Sequence, residues 1–387
     1  MTTVQHDALG DALAWLGGER PAMEELLRAL VVESSATADR DGVTAAVGVL
    51  EPALAASGVA TEPIPSARFG PHLAFRGPAP GAPVWLIGHS DTVFPRGTFE
   101  GFRQEGDRAF GPGVFDMKGG LVVMRFGLAA AGRCGLLARV PVAGLVVSDE
   151  EVGSPESQPL LRARARGAAC ALVFESGRPG DLVVTRRKGV SSVRVEARGV
   201  AAHAGNEPER GRSAIWALAR FVDRAQALSE PARGRSVNVG TFHGGTSKNT
   251  VPDLAACEVD LRYTTAADGR TLEDALRDAA RAAALPGTTL EVSRGSSRAP
   301  LERTTASAAL AAEYGACQRA CGLGAGEAPL AGGGSDACTT AEIGIPSIDG
   351  LGPRGAGYHT PREEVDLTSL VPKAQALLRF LAGRASS

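Results

Sequence analysis

None of the six cysteines, Cys134, Cys170, Cys257, Cys317, Cys321 and Cys338, belongs to a CxxC pair. That leaves no thiolate cluster for a metal and no redox pair, and predicts small, buried thiols in a reducing compartment. Cys317 and Cys321 are four apart, which is helical spacing in an alanine-rich stretch. The sequence also has no long apolar run, and its first thirty residues carry no basic segment ahead of an apolar one. Neither a signal peptide nor a membrane span is expected, and the predicted location is cytoplasmic. Arginine is scattered and never forms a block, the formal net charge is -2 and the pI is near 6.3. Nothing here gives the clustered positive charge that a nucleic acid or a membrane surface requires. There is no internal repeat and no low-complexity tract. The glycine turn Gly332-Gly333-Gly334-Ser335-Asp336 lacks the lysine of a phosphate-binding loop, which argues against a nucleotide site.

What is present is enough chain for two cores, since 387 residues exceed an ordinary single domain. Residues 7–33 have helical spacing broken near Gly17-Gly18 and Pro21, and 41–58 read as a second helix. Short apolar runs at 84–88, 140–147 and 171–174 have strand character, and 117–131 reads as a long apolar helix. Strands alternating with helices predict an α/β sheet covered on both faces. After Lys188 the pattern changes. Residues 191–197, 237–242 and 257–262 alternate like half-exposed strands, 213–228 and 272–284 are helical, and 289–293 closes the segment. That β-α-β-β-α-β order predicts an open-faced α+β domain at 190–297, inserted into a larger domain formed by 1–189 and 298–387.

Five segments place acids or histidines beside turn-forming glycines. His89 and Asp91 follow the strand at 84–88, two residues apart and so on one face. Asp116 lies in the glycine-rich turn 111–120. Asp149, Glu150 and Glu151 follow the strand at 140–147, where three consecutive acids are costly unless solvated or holding cations. Glu175 follows the strand ending at Phe174, and His359 lies in Gly357-Tyr358-His359-Thr360-Pro361. Each segment alone reads equally as a cap or a solvated loop. Together they gather two imidazoles and three carboxylates at strand ends, where α/β sheets build their sites. Sharing Asp116 would give each of two metals one histidine, one terminal carboxylate and one bridging oxygen. A nitrogen and oxygen set without thiolate suits zinc, with cobalt or manganese as substitutes.

The strings GHSDTVFP, GPGVFDMKGG, DEEVGS, AAHAGNEPERGRSAI and GGTSKNTVPD resemble the motifs of the M20 peptidases, in the family's order and most closely in its glutamate carboxypeptidase branch. The resemblance implies a catalytic domain with a central mixed sheet flanked by helices, and an inserted dimerisation or lid domain. It implies two zinc ions per subunit, one held by His89, Asp116 and Glu175, the other by Asp116, Glu151 and His359. Glu150 resembles the general base, Asp91 the carboxylate behind His89, and His203 a histidine that reaches the partner subunit's site. Asn249, Arg262 and Arg298 resemble groups that bind the substrate's carboxylate end or reaction centre. A cis peptide between Asp116 and Met117 is also implied. The expected function is cleavage of an amide bond that releases a C-terminal acidic residue, glutamate above all, from peptides or N-acyl conjugates, by a homodimer joined through 190–297. The alternative is an N-acyl-amino-acid deacylase with the same metals. The stretch 181–188, apolar and then basic, departs from the glutamate-cleaving pattern and weakens the inference to glutamate.

Overall fold

The computed structural model describes residues 2–385 and divides into two compact units. One comprises 1–186, 303–331 and 335–387; the other comprises 187–302 with 332–334.

The first unit is built on a six-stranded sheet. In spatial order its strands are Ala60–Ile64, His72–Arg76, Val142–Val147, Val84–His89, Cys170–Val173 and Ser347–Ile348. The first three neighbours pair antiparallel, and the last four strands run parallel. The strands VWLIGH and VAGLVV are buried at every position, as continuous apolar runs predict for a sheet covered on both faces. Helices Gly119–Arg133 and Leu370–Arg384 pack against each other and share one core with Val84, Leu86 and Leu172. Helices Thr2–Gly18 and Arg20–Val32 break at Glu19, close to the predicted interruption.

The long apolar helix begins at Gly119 rather than at Met117, because Asp116 and Met117 have non-helical φ/ψ. The bond between these two residues is cis, as the resemblance implies. Gly120 has a steric role: a Cβ there would lie 1.9 Å from the carbonyl oxygen of Phe174. Only glycine lets this helix start close against the strand end that leads into Glu175.

A second, four-stranded sheet of very short strands, Gly355–Ala356, Glu364–Asp366, Arg108–Phe110 and Arg103–Glu105, joins the glycine turn before Asp116 to the loop carrying His359. Sequence periodicity does not predict it, since two or three residues cannot display a period.

The second unit has the order strand Gly189–Arg198, helix Ala214–Gln226, strands Ser236–Gly244 and Leu254–Tyr263, helix Ala266–Ala283 and strand Thr289–Arg298. Its sheet is antiparallel throughout. Val193, Val195, Val259 and Leu261 form a separate core with Leu218, Phe221 and Leu276 of the two helices. The alternate residues face away from those helices, which is the open-faced arrangement that the alternation implies.

Candidate metal centre

His89 is the last residue of its strand and is 1% exposed. Its Nε2 lies 3.6 Å from Asp116 Oδ1 and 3.8 Å from Glu175 Oε1. The His359 Nε2 lies 3.4 Å from Asp116 Oδ2 and 3.2 Å from Glu151 Oε2. Asp116 therefore turns one oxygen toward each of two imidazole–carboxylate groups. Ligand atoms of His89, Glu150 and Glu175 lie within 4.8 Å of one another, and so do those of Asp116, Glu151 and His359. The five predicted ligands and Glu150 thus converge in the first unit.

Supporting contacts fix the geometry. His89 Nδ1 is 3.0 Å from the backbone oxygen of Asp91 and 3.5 Å from that residue's carboxylate. The Asp91 carboxylate is fully buried and accepts the Thr37 hydroxyl at 2.7 Å and the backbone N–H groups of Glu150 and Glu151, each at 3.2 Å. It ties the histidine strand to the acidic loop as much as it stands behind the ring. Asp149 faces the other way and accepts the N–H groups of Glu156 and Ser157 at the start of helix Ser157–Arg164. Glu363, also fully buried, accepts the N–H groups of Gly113, Phe115 and Asp116 at 3.1, 2.9 and 2.8 Å. One carboxylate thereby holds the turn that presents Asp116. His359 stands in the left-handed region at φ 61°, uncommon for a residue other than glycine. Sequence reasoning missed Thr37 and Glu363. A lone threonine gives no signal, and Glu363 in PREEVD reads as a solvated acid.

The electrostatics suit a cation. Burial and the charge of Asp116 push the Glu175 carboxyl well above the usual range, and burial raises Glu151 to about 7. Burial opposes charge on His89, but the neighbouring carboxylates of Asp116, Asp91 and Glu175 outweigh it and raise the pKa. Asp116 and Glu151 bring His359 to about 10. Burial disfavours the Asp116 carboxylate too, yet the two imidazoles hold its pKa well below the usual range. The cluster carries more carboxylates than its imidazoles can balance, and Asp116 Oδ1 is buried without a hydrogen-bond partner among the described residues. Divalent cations on this nitrogen and oxygen set would supply the missing charge and partner.

The other predicted residues lie in the second unit. His203 is exposed, and its Nδ1 accepts the N–H groups of Gly205 and Asn206 at 3.1 and 3.0 Å. Asn249 precedes Thr250, the residue paired with His203: its carbonyl accepts the Ala204 N–H, and its side chain accepts the Ser247 hydroxyl. Arg262 and Arg298 both pair with Val190 from opposite sides, so they stand in one row at one end of the sheet. Arg262 holds Asp260 at 2.8 Å, whereas Arg298 is 6% exposed and packs where a Cβ on Gly334 would touch its side chain.

Comparison with known proteins gives these features a family. A peptidase dimerisation domain model matches residues 185–293. Carboxypeptidase G2 of Pseudomonas sp. (strain RS-16) is 30% identical over 92% of this chain and 87% of its own. Succinyl-diaminopimelate desuccinylase of Gluconacetobacter diazotrophicus is 27% identical over 92% and 95%. Among solved structures, a tripeptidase from Staphylococcus aureus superposes with TM-score 0.79 at 22% identity, covering 95% of this chain and 99% of that one. An M20 family metallo-carboxypeptidase from Sulfolobus solfataricus does so with TM-score 0.75 at 17% identity, covering 94% and 99%. With near-complete coverage by a relative at this identity, and with the same fold throughout, the chain belongs to the M20 family of metallopeptidases and is an enzyme.

Proposed function

We propose that this chain is a two-zinc amide hydrolase that releases a C-terminal amino acid, glutamate or another acidic residue, from peptides or N-acyl conjugates. The observation that carries this reading is Asp116, with one oxygen directed at each imidazole–carboxylate group. His89, Asp116 and Glu175 would hold one metal, and Asp116, Glu151 and His359 the other, with Co²⁺ or Mn²⁺ as substitutes. Metals bound there supply Lewis acidity to the scissile carbonyl and lower the pKa of water.

Glu150 takes a proton from the attacking water and passes it to the leaving amine. Two observations support this role: Asp91 holds the backbone of both Glu150 and Glu151, and Glu150 lies with His89 and Glu175 whereas Glu151 lies with Asp116 and His359. His203 donates to the developing oxyanion. Two N–H groups already point at its Nδ1, which leaves the proton on Nε2, the outward donor. Arg262, Arg298 and Asn249 hold the carboxylate end of the substrate, for which the planar guanidinium fork is suited. The enzyme works as a homodimer joined through residues 190–297. Six cysteines without a disulfide suit a cytoplasmic setting.

A second reading, an N-acyl-amino-acid deacylase, is favoured by the near full-length similarity to a desuccinylase and by a 30% match over about half the chain to acetylornithine deacetylase of Myxococcus xanthus. A hydrolysis screen separates the two. N-acyl-glutamates and dipeptides ending in glutamate should turn over far faster than N-acyl-lysine or N-acyl-arginine. The reverse order would replace the first reading with the second. Full activity after exhaustive chelation would remove both.

A further inference from the structure

The acidic loop that carries Glu150 and Glu151 is tied down a second time, at its first residue. Strand His72–Arg76 pairs antiparallel with Val142–Val147 from Arg76 as far as Leu73, which lies opposite Val146. Beyond that point the backbone ladder ends and a side chain continues it. His72 Nδ1 accepts the Ser148 N–H at 3.1 Å, where a carbonyl oxygen would otherwise serve. Ser148 is fully buried; its hydroxyl donates to the Pro71 carbonyl and lies 3.4 Å from Ser90 Oγ. With Ser148 held here, and the N–H groups of Glu150 and Glu151 on Asp91, the loop has two anchors.

The first anchor is an imidazole, 2% exposed. A ring nitrogen that accepts from an amide carries no proton, so the neutral ring keeps its proton on Nε2. Burial pushes the His72 pKa below 6.5, against the pull of Asp149, Glu156 and Asp91, the charged groups around it. The ring is therefore neutral, and able to accept, at neutral pH. A second proton would go to Nδ1 and set N–H against N–H, leaving the buried Ser148 donor without an acceptor.

We propose that His72 is a positioning residue for Glu150: its neutral ring holds the start of the acidic loop, and protonation in acid releases it. This role rests on the hydrolase reading above, in which Glu150 carries the proton.

Two substitutions separate the hydrogen bond from the bulk of the ring. In His72→Asn the amide oxygen lies close to the place of Nδ1 and accepts at every pH, whereas His72→Leu fills the volume and accepts nothing. In metal-free protein, amide exchange in a peptide covering 146–152 should be about tenfold faster in His72→Leu and parental in His72→Asn, as an unpaired buried donor requires. In the metal-loaded enzyme at neutral pH, His72→Leu should lower kcat for an N-acyl-glutamate about tenfold with KM unchanged. His72→Asn should keep the parental rate, and the acid limb of its kcat profile should move to lower pH, because its acceptor does not titrate. Equal exchange in the three proteins, equal kcat in His72→Leu and the parent, or an unmoved acid limb in His72→Asn would each overturn the proposal. If His72→Leu does not fold, the acid limb of His72→Asn decides by itself. A parent enzyme that hydrolyses none of the screened amides would overturn the hydrolase reading instead, and the exchange comparison would still decide the His72 contact.

Discussion

Three adjacent acids, Asp149, Glu150 and Glu151, have three different surroundings, because the Asp91 carboxylate accepts the N–H groups of Glu150 and Glu151 while the Asp149 carboxylate accepts those of Glu156 and Ser157. The proposed division of labour makes their substitutions separable. Glu150→Gln should keep full metal content and lose kcat by about 10²–10⁴, the usual worth of a positioned proton carrier. Glu151→Gln should instead lose metal, read by stoichiometry after dialysis against a weak chelator. Matching behaviour in both assays would refute the assignment. Glu363 belongs at the same scale as a positioning residue, since three N–H groups of the Asp116 turn converge on it. Glu363→Gln removes one of its two acceptor oxygens and should weaken metal affinity about 10–100-fold, as outer-shell partners do. An unchanged metal Kd would show that the turn holds itself.

At the scale of elements, much of the fold was legible because long elements repeat their period. The helix at 119–133, the strands at 84–89 and 142–147 and the β-α-β-β-α-β order all follow from apolar spacing. The candidate centre was legible because its acids and histidines sit in glycine-rich turns at strand ends. The four-stranded sheet that couples the Asp116 turn to the His359 loop was not, because its strands are too short to alternate. Also hidden was a buried charged group: Asp181, 2% exposed, receives Arg354 at 2.7 Å and has fully buried Lys373 at 3.5 Å. These partners are distant in sequence, so no local pattern announces them. Burial alone would raise the Asp181 pKa, but the hydrogen bond from Arg354, with Lys373 and the Gly324 N–H, lowers it overall. A depressed carboxylate contributes stability above its unfolded value near 3.8, and that contribution disappears as the pH falls through the folded value. Asp181→Asn should therefore cost about 3–5 kcal/mol near neutrality by stranding Lys373. Its acid-limb dependence of Tm on pH should be shallower than that of the parent. A parallel downward shift at every pH would deny the linkage. Lys373 gives a slope of the same sign in a higher window. Burial brings its pKa from 10.5 to about 8, so the unfolded chain binds more protons between those values and stability gains as the pH rises across that window.

For the whole molecule, the predicted dimer can be tested by exchange of subunits. His203→Ala and Glu150→Gln homodimers should each be nearly inactive. Mixed, they should recover up to about half of the parental activity per heterodimer, because twofold symmetry leaves one site with both an intact Glu150 and an intact donated histidine. No recovery after verified exchange would mean that His203 serves its own subunit or none. Metal should also set the melting temperature of the first unit, since cations that bind only the folded cluster stabilise it by mass action. Chelation should lower that transition, and an unmoved transition would argue that the cluster is not a metal site.

The chain leaves the first unit after Arg186 and re-enters it at Arg303, and His359 lies beyond that return. On the ribosome, His89, Asp116, Glu151 and Glu175 are therefore synthesised before the entire insertion, and the remaining imidazole only after it. The inserted unit has its own core and can become native while its host is still incomplete. Closing the centre is a long-range event in sequence, of the kind that slows folding. A nascent chain stalled inside the insertion would hold three of the carboxylates and one histidine of the proposed cluster and lack the other imidazole. On the proposed ligand set, hydrolytic competence would be withheld until synthesis has passed the insertion.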